Sequence, residues 1–296
     1  MWLNRRRFLG LAAAGVLGSV SGARAADEGQ KGAWRTVSYN VLGFRGHPSL
    51  ESTHECMKAR RERHPELTAE ALAAFSPDIV TLQEGPPDER VARFAEALGM
   101  RYAYFPSGWA GKPPYLGGYP GAVITRFDIE ECESRPSAGK PHDETLFSRH
   151  LGRAKLATPF GPLHVISAHL HASEHETRMR EAAAVIELLG KLRKTAPVLL
   201  QGDLNHKAED PEYVLWVEAG LVDIGKAMGI GDTPTFSSTK PRARIDYVWA
   251  TPELAETARR AAVLNRPPFI PEPDDPASYA LSDHMPLMAE FTMEDS

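Results

Sequence analysis

A series of polar side chains closes the apolar runs of this chain, and their types could do chemistry together. Residues 36–40 end in Asn40, and Ile79-Val80-Thr81-Leu82-Gln83 runs into Glu84. Val165-Ile166-Ser167-Ala168 runs into His169, and Val198-Leu199-Leu200-Gln201-Gly202 into Asp203-Leu204-Asn205. Arg244-Ile245 precedes Asp246, which opens Tyr247-Val248-Trp249, and Ser282-Asp283-His284 leads into the last apolar run. A carboxylate, amide or imidazole abutting a buried run is costly unless paired or coordinated. Singly, an Asp or Asn at a strand end is commonly a turn former or a helix cap. As neighbours in packed sheets, the same ends would converge on one cleft. Carboxylates and amides suit hard cations such as Mg2+ or Mn2+, which prefer oxygen ligands. Such a mixture with imidazoles also suits phosphate, whose oxygens accept from His, Asn and Arg.

The elements that must position these residues follow from periodicity. Residues 36–40 alternate as a strand, with Val37, Tyr39 and Val41 on one face. Residues 66–75 read as a helix through Leu67, Ala71 and Phe75, and Asp88–Leu98 as another through Val91, Phe94, Ala95 and Leu98. Ile79–Gln83, Gly121–Thr125, 198–201, 245–250 and 287–291 read as strands. Residues 155–157 and 163–169 flank Thr158-Pro159-Phe160-Gly161-Pro162 as a hairpin, and 177–192 is an amphipathic helix. The Gly/Pro-rich segment 108–121 reads as a long loop. Hairpins mixed with helix-linked strands imply an α/β or α+β sandwich, sheets inside and helices outside.

The motifs Ser38-Tyr39-Asn40-Val41, Pro77-Asp78-Ile79-Val80 with Gln83-Glu84, Ala168-His169-Leu170, Gly202-Asp203-Leu204-Asn205, Arg244-Ile245-Asp246-Tyr247-Val248 and Ser282-Asp283-His284-Met285-Pro286 stand in one order. In that order the sequence resembles the endonuclease/exonuclease/phosphatase superfamily, from Trp34 to Phe291. The resemblance implies a four-layer α/β sandwich of two packed mixed β-sheets flanked by helices, as in deoxyribonuclease I. It implies a metal-dependent hydrolase of phosphodiesters or phosphomonoesters in which water attacks in line.

Residue by residue, the resemblance implies a metal site at Glu84, assisted by Asn40 and by Asp283, holding Mg2+ or Mn2+, with Ca2+ a further option. Asp246 and His284 match a coupled pair, and the imidazole either contacts the phosphate or assists proton transfer. A salt bridge to Arg244 is the bland alternative for Asp246. Asp203 would orient or deprotonate the attacking water, and Asn205 would donate to the phosphate or position Asp203. His169 matches a phosphate-side histidine. Arg149 is a looser match to a phosphate-binding arginine ahead of the hairpin. The sequence departs from the pattern at Pro120-Gly121-Ala122, where relatives often carry Gly-Asn-Ala, so an asparagine contact is lost. His171 stands where relatives often carry an acid and reads as a loop residue at the rim.

Composition frames this chemistry. The chain has 296 residues, 42% hydrophobic and 25% charged, which excludes a disordered, collagen-like or disulfide-dense chain. Residues 1–25 carry Arg5-Arg6-Arg7 before an apolar run and end Ala23-Arg24-Ala25, an export signal resembling the twin-arginine type. The expected organisation is a cleaved signal (1–25), a linker (26–32) and one catalytic domain (33–296), with a periplasmic or secreted location. No later run is long enough to span a membrane. Without the signal's four arginines the remainder holds 30 basic and 39 acidic residues, a net charge of −9. That balance disfavours holding polyanions by bulk attraction and calls for local arginines or a cation. Cys56 and Cys132 could pair or stay free, and nothing implies a protein partner.

Substrate class stays open among nucleic acid, lipid headgroup and small phosphodiester. Trp109, Tyr115 and Tyr119 around Lys112 could stack on a base, sugar or lipid surface, whereas Tyr102, Tyr104 and Phe105 read as core. Lys58, Arg60, Arg61 and Arg63 could track a polyanion or form a solvated face. The alternative from another class is a secreted binding module that keeps the fold without catalysis.

Overall fold

The computed structural model describes residues 32–48, 62–85, 88–107, 118–135, 146–275 and 278–292. The first sheet contains β1 (Ala33–Asn40), β2 (Ile79–Gln83), β3 (Arg101–Phe105), β4 (Gly121–Thr125), β11 (Ala258–Val263) and β12 (Leu287–Thr292), ordered β11-β12-β1-β2-β4-β3. The second contains β5 (Asp128–Arg135), β6 (His150–Thr158), β7 (Gly161–His169), β8 (Val198–Asp203), β9 (Val222–Asp223) and β10 (Asp246–Ala250), ordered β5-β6-β7-β8-β10-β9. Both sheets are mixed: β1 and β2 run parallel, as do β7 and β8, and the remaining pairs are antiparallel. Helices α1 (His64–Ala73) and α2 (Asp88–Leu98) pack on the first sheet; α3 (His175–Leu192) and α4 (Pro211–Glu218) pack on the second. This is the four-layer sandwich that the sequence implies. No helix among the described residues is long and apolar enough to cross a membrane.

Three apolar layers follow from the strand period of two. Trp34, Ile79, Phe105, Val123, Val165, Leu199 and Val248 fill the space between the sheets. Val37, Tyr39, Val80, Leu72 and Phe94 join the first sheet to its helices, and Ile166, Leu200, Tyr247, Trp249, Val185 and Trp216 join the second to its own. The inward series on five strands change character along their length. Trp34, Thr36, Ser38 and Asn40 succeed one another on β1, and Ile79, Thr81 and Gln83 on β2. Val165, Ser167 and His169 do so on β7, Leu199, Gln201 and Asp203 on β8, and Ala250, Val248 and Asp246 on β10. Apolar side chains therefore fill one end of the inter-sheet space, and charged or amide groups the other. Between the ends of β1 and β8, Thr36 Oγ1 donates to Gln201 Oε1 at 2.7 Å.

The hairpin is longer than its sequence signal. Thr158 pairs with Gly161, leaving Pro159 and Phe160 in the turn, and the Phe160 ring stacks on Trp34 at 5.0 Å. Helix α1 starts two residues earlier than the period suggests because Pro65 is accommodated in the first turn, where no N–H is needed. Tyr102 corrects the core expectation: at the edge strand β3 it is 36% exposed, while Phe105 is 1% exposed. The proposed signal, Cys56, Lys58, Arg60, Arg61, Trp109, Lys112 and Tyr115 lie outside the described residues. Arg63 is exposed and pairs with Glu70.

Candidate active site

All the polar strand ends named from the sequence come together at one end of the sandwich. Parallel β1 and β2 bring Asn40 beside Gln83, so that Glu84 follows at the same edge. Parallel β7 and β8 place His169 opposite Asp203, and antiparallel β10 places Asp246 opposite Asp203 from the other side. The segment before β12 lies beyond Asn40, where Ser282 Oγ donates to the Asn40 carbonyl at 2.6 Å.

The local backbone is specialised. Glu84 has φ 52° and Asn205 φ 53°, both in the left-handed region that side chains rarely adopt. Such conformations cost about 1–3 kcal/mol each and persist where surroundings enforce them. At Glu84 the enforcement comes from its carbonyl, which accepts from Gly43 N at 2.8 Å, and from Gly85 N, which donates to Pro120 O at 2.8 Å. Gly202 must be glycine because a Cβ there would collide with the Ala168 carbonyl.

Asp203 is the hub. Its Oδ2 accepts from Asn40 Nδ2 at 3.0 Å and lies 3.3 Å from His169 Nε2 and 3.6 Å from His284 Nε2. Its Oδ1 accepts from the backbone N of Asn205 at 3.1 Å. Burial, only partly opposed by His284 and reinforced by Asp246, pushes the Asp203 carboxyl up to about 7. His284 Nδ1 bonds Asp246 Oδ2 at 2.8 Å. Burial works against a charge on His284, yet the Asp246 and Asp203 carboxylates raise it to about 10, so it is an imidazolium at neutral pH. Asp246 is held in turn by its own N–H, which donates to Thr235 Oγ1 at 3.2 Å. The Phe236 ring packs against His284, centroids 4.9 Å apart.

Arg149 closes the opposite side. Its Nη1 lies 2.5 Å from His169 Nε2 and 3.5 Å from Glu84 Oε1, and its guanidinium sits 4.2 Å from the centroid of the Tyr119 ring. Because a guanidinium only donates, His169 Nε2 accepts and its proton resides on Nδ1. Burial, with the Arg149 charge next in size, holds His169 well below the ordinary histidine value, so it stays neutral.

The expected pairing of Asp246 with His284 is therefore present, and its bland alternative is absent. Arg244 instead bonds Asp223 through both terminal nitrogens, at 3.1 and 2.6 Å, and stacks on Tyr247. Asn205 holds Asp203, one of its two expected roles, through the main chain. Its Nδ2 donates to Leu170 O at 3.0 Å, and it is the backbone N–H that reaches Asp203. His171 is a loop residue: its Nδ1 accepts from Glu174 N at 3.0 Å at the start of α3. Sequence reasoning missed Thr235, Phe236 and His150, and gave Ser282 no role of its own beside Asp283 and His284. Thr235, Phe236 and Ser282 lie off the regular strands, and His150 was hidden beside Arg149.

Oxygen donors for a hard cation fit at Glu84, Asn40 and Asp283. Burial raises the Glu84 carboxyl, with Arg149 and His284 opposing and Asp283 adding to the rise, and Asn40 bonds it. Glu84 is half-buried, and its ion pair with Arg149 Nη1 is long at 3.5 Å, which leaves a carboxylate that a divalent ion would neutralise further. A second group, Asp203, Asp246 and His284, has ligand atoms within 4.8 Å of one another. Within it His284 Nδ1 is already bonded to Asp246 Oδ2, and Nε2 is the ring atom that faces Asp203.

The two facing sheets with carboxylates, imidazoles and an arginine at one end define a class of phosphoester hydrolases. A model of the Endonuclease/Exonuclease/phosphatase family matches residues 37–284, and the chain belongs to that family. Among curated proteins it is similar to Uncharacterized protein YbhP of Escherichia coli, 27% identical over 281 residues, covering 86% of this chain and 96% of that protein. Solved structures share the fold. An endonuclease/exonuclease/phosphatase family protein from Bacteroides thetaiotaomicron matches with TM-score 0.66 at 20% identity, over 88% of this chain and 98% of that one. A mannosyl-6-phosphatase of the same organism matches with TM-score 0.63 at 20% identity, over 86% and 98%. D. rerio TDP2 complexed with single strand DNA product matches with TM-score 0.61 at 19% identity, over 88% and 99%.

Proposed function

We propose that the chain is an exported, divalent-metal-dependent phosphoesterase that hydrolyses its substrate by in-line attack of water. The observation carrying this reading is the Asp203 hub, a buried carboxylate bonded by Asn40 and within 3.6 Å of both His169 and His284, the latter held by Asp246. In the proposed reaction Asp203, aligned by Asn40 Nδ2 and Asn205 N–H, takes a proton from water. The water oxygen forms a bond to phosphorus as the bond to the leaving oxygen breaks, and that oxygen is protonated from solvent. The His284 imidazolium, held by Asp246, and the Arg149 guanidinium donate to phosphoryl oxygens as charge builds there. His169 accepts from Arg149 and fixes the guanidinium. Glu84, Asn40 and Asp283 would hold Mg2+ or Mn2+, which supplies Lewis-acid charge neutralisation at the phosphoryl group. Export rests on the arginine-led apolar segment of residues 1–25.

The test uses the protein from residue 26 onward with bis-p-nitrophenyl phosphate, p-nitrophenyl phosphate, single-stranded DNA, RNA, sphingomyelin and mannose 6-phosphate. Mg2+- or Mn2+-stimulated turnover of at least one is expected, with a loss of about 10²–10⁴ in Asp203→Ala and His284→Ala. Full activity in either folded variant removes that residue from the mechanism. Fractionation of cells making the full chain tests export, and a product confined to the cytoplasm contradicts it.

A further inference from the structure

His150 has no part in the reading above, yet its ring is fully buried beside the cleft. A buried imidazole costs free energy unless both nitrogens find partners. Here Nδ1 meets the Tyr119 carbonyl at 3.1 Å and Nε2 meets Ser167 Oγ at 3.1 Å. A carbonyl only accepts, so the Nδ1 atom carries the proton and Nε2 accepts. Burial lowers His150 to about 4, leaving it neutral.

The ring also fills a space that the sequence leaves bare. A Cβ on Gly121 would fall on the His150 imidazole. The side chain missing at residue 121 is thus matched by one arriving from β6. The single Ser167 hydroxyl proton serves either His150 Nε2 or Leu82 O, 3.2 Å away on β2, the strand that ends before Glu84. On the other side, the Tyr119 ring meets His169 edge-on at 6.0 Å and receives the Arg149 guanidinium on its face at 4.2 Å. His150 itself pairs with His169 across the β6–β7 ladder, and its chain neighbour is Arg149.

We propose that His150 is a positioning residue: its imidazole, slotted over Gly121, ties the Tyr119 carbonyl to Ser167 and so holds Tyr119 and Arg149 as a preformed clamp for a phosphoryl oxygen. The proposal rests on the phosphoesterase reading of the site. An unconstrained arginine would lose side-chain freedom on binding, and a stacked one has already lost it. Phenylalanine at residue 150 would keep the ring volume and leave the Tyr119 carbonyl without its donor.

The experiment measures bis-p-nitrophenyl phosphate hydrolysis and inorganic phosphate binding by titration calorimetry in wild type, His150→Phe, His150→Gln, Arg149→Ala and the Arg149→Ala/His150→Phe double variant. The expected result is a loss of about tenfold in kcat/KM and in phosphate affinity for His150→Phe, the scale of one lost buried hydrogen bond. His150→Gln, which keeps a donor and an acceptor, recovers most of it. In the Arg149→Ala background His150→Phe has no further effect, since the two act as a unit. An unchanged His150→Phe, or an equal loss with and without Arg149, overturns the proposal. Should His150→Phe not fold, long-range 1H–15N spectra of wild type decide: a proton on Nε2 of His150 overturns it. A wild type that binds phosphate through this clamp but hydrolyses no phosphoester sinks the functional reading and leaves the clamp standing.

Discussion

Asp203 and His284 are 3.6 Å apart, and burial acts on them in opposite senses. It drives Asp203 towards its neutral acid, and it resists the charge that Asp246 and Asp203 impose on His284. The proposed reaction needs Asp203 ionised and His284 protonated. Activity is therefore expected to rise as pH climbs through about 7 and to fall as His284 loses its proton near 10. The two limbs belong to the coupled set, and a cation bound at Glu84 moves both to lower pH. Asp246→Asn removes the charge that chiefly raises His284, so the alkaline limb should move down towards neutrality. A pH–rate profile with that limb unmoved would contradict the pairing. Most of this chemistry was legible in residue types at strand ends, because Asp203, Asp246 and His284 each sit in a short polar motif beside an apolar run. The diversion of the Asn205 amide to Leu170 O was not legible, since it depends on the left-handed turn at residue 205.

At the scale of the elements, the site is the charged end of inward-facing series that begin apolar. Val165-x-Ser167-x-His169 and Leu199-x-Gln201-x-Asp203 carry that gradient in the sequence itself. The strand β8 also needs close contact with β7, which Gly202 permits. Gly202→Ala should cost about 1–3 kcal/mol, the range for overpacking a closed site, and should lower activity by displacing Asp203. A variant with wild-type melting and turnover would show that the strands separate without consequence. Four strands escaped the sequence reading: β9, Val222–Asp223, is too short to show a period, and the other three have reasons of their own. The edge strand β5, Asp-Ile-Glu-Glu-Cys-Glu-Ser-Arg, is almost wholly exposed and lacks an apolar face. In β11, Ala-Arg-Arg-Ala-Ala-Val is built of helix-favouring residues overridden by pairing with β12. In β3 the aromatics Tyr102, Tyr104 and Phe105 were read as packing with no element assigned.

On helix α3, Glu181 is buried and accepts from His171 N at 2.7 Å, anchoring the chain just after His169. Burial raises it to about 7, so ionisation is resisted in the folded chain more than in the unfolded one. Its contribution to stability is therefore present at low pH and is lost as pH rises from the unfolded value to about 7. Thermal melts should show Glu181→Gln gaining on wild type across that interval, and a constant difference would contradict the shift.

At the scale of the whole molecule, the balance of charge is set by composition. Over residues 26–296 the net charge of −9 gives no bulk attraction for a phosphoester, so in the proposed function recognition falls to Arg149, His284 and a cation at Glu84. This locality was readable from composition alone; the pattern of elements implied a sandwich, and its two packed sheets in four layers came through the resemblance. The most direct measurement pairs Mn2+ binding by calorimetry with bis-p-nitrophenyl phosphate turnover, in chelator-stripped wild type and Glu84→Ala. Binding and turnover that rise together in wild type, and fail together in a folded Glu84→Ala, are the predicted result. Undiminished turnover in stripped protein, or Mn2+ binding and turnover unaffected by Glu84→Ala, would contradict a metal-assisted phosphoesterase centred on these strand ends.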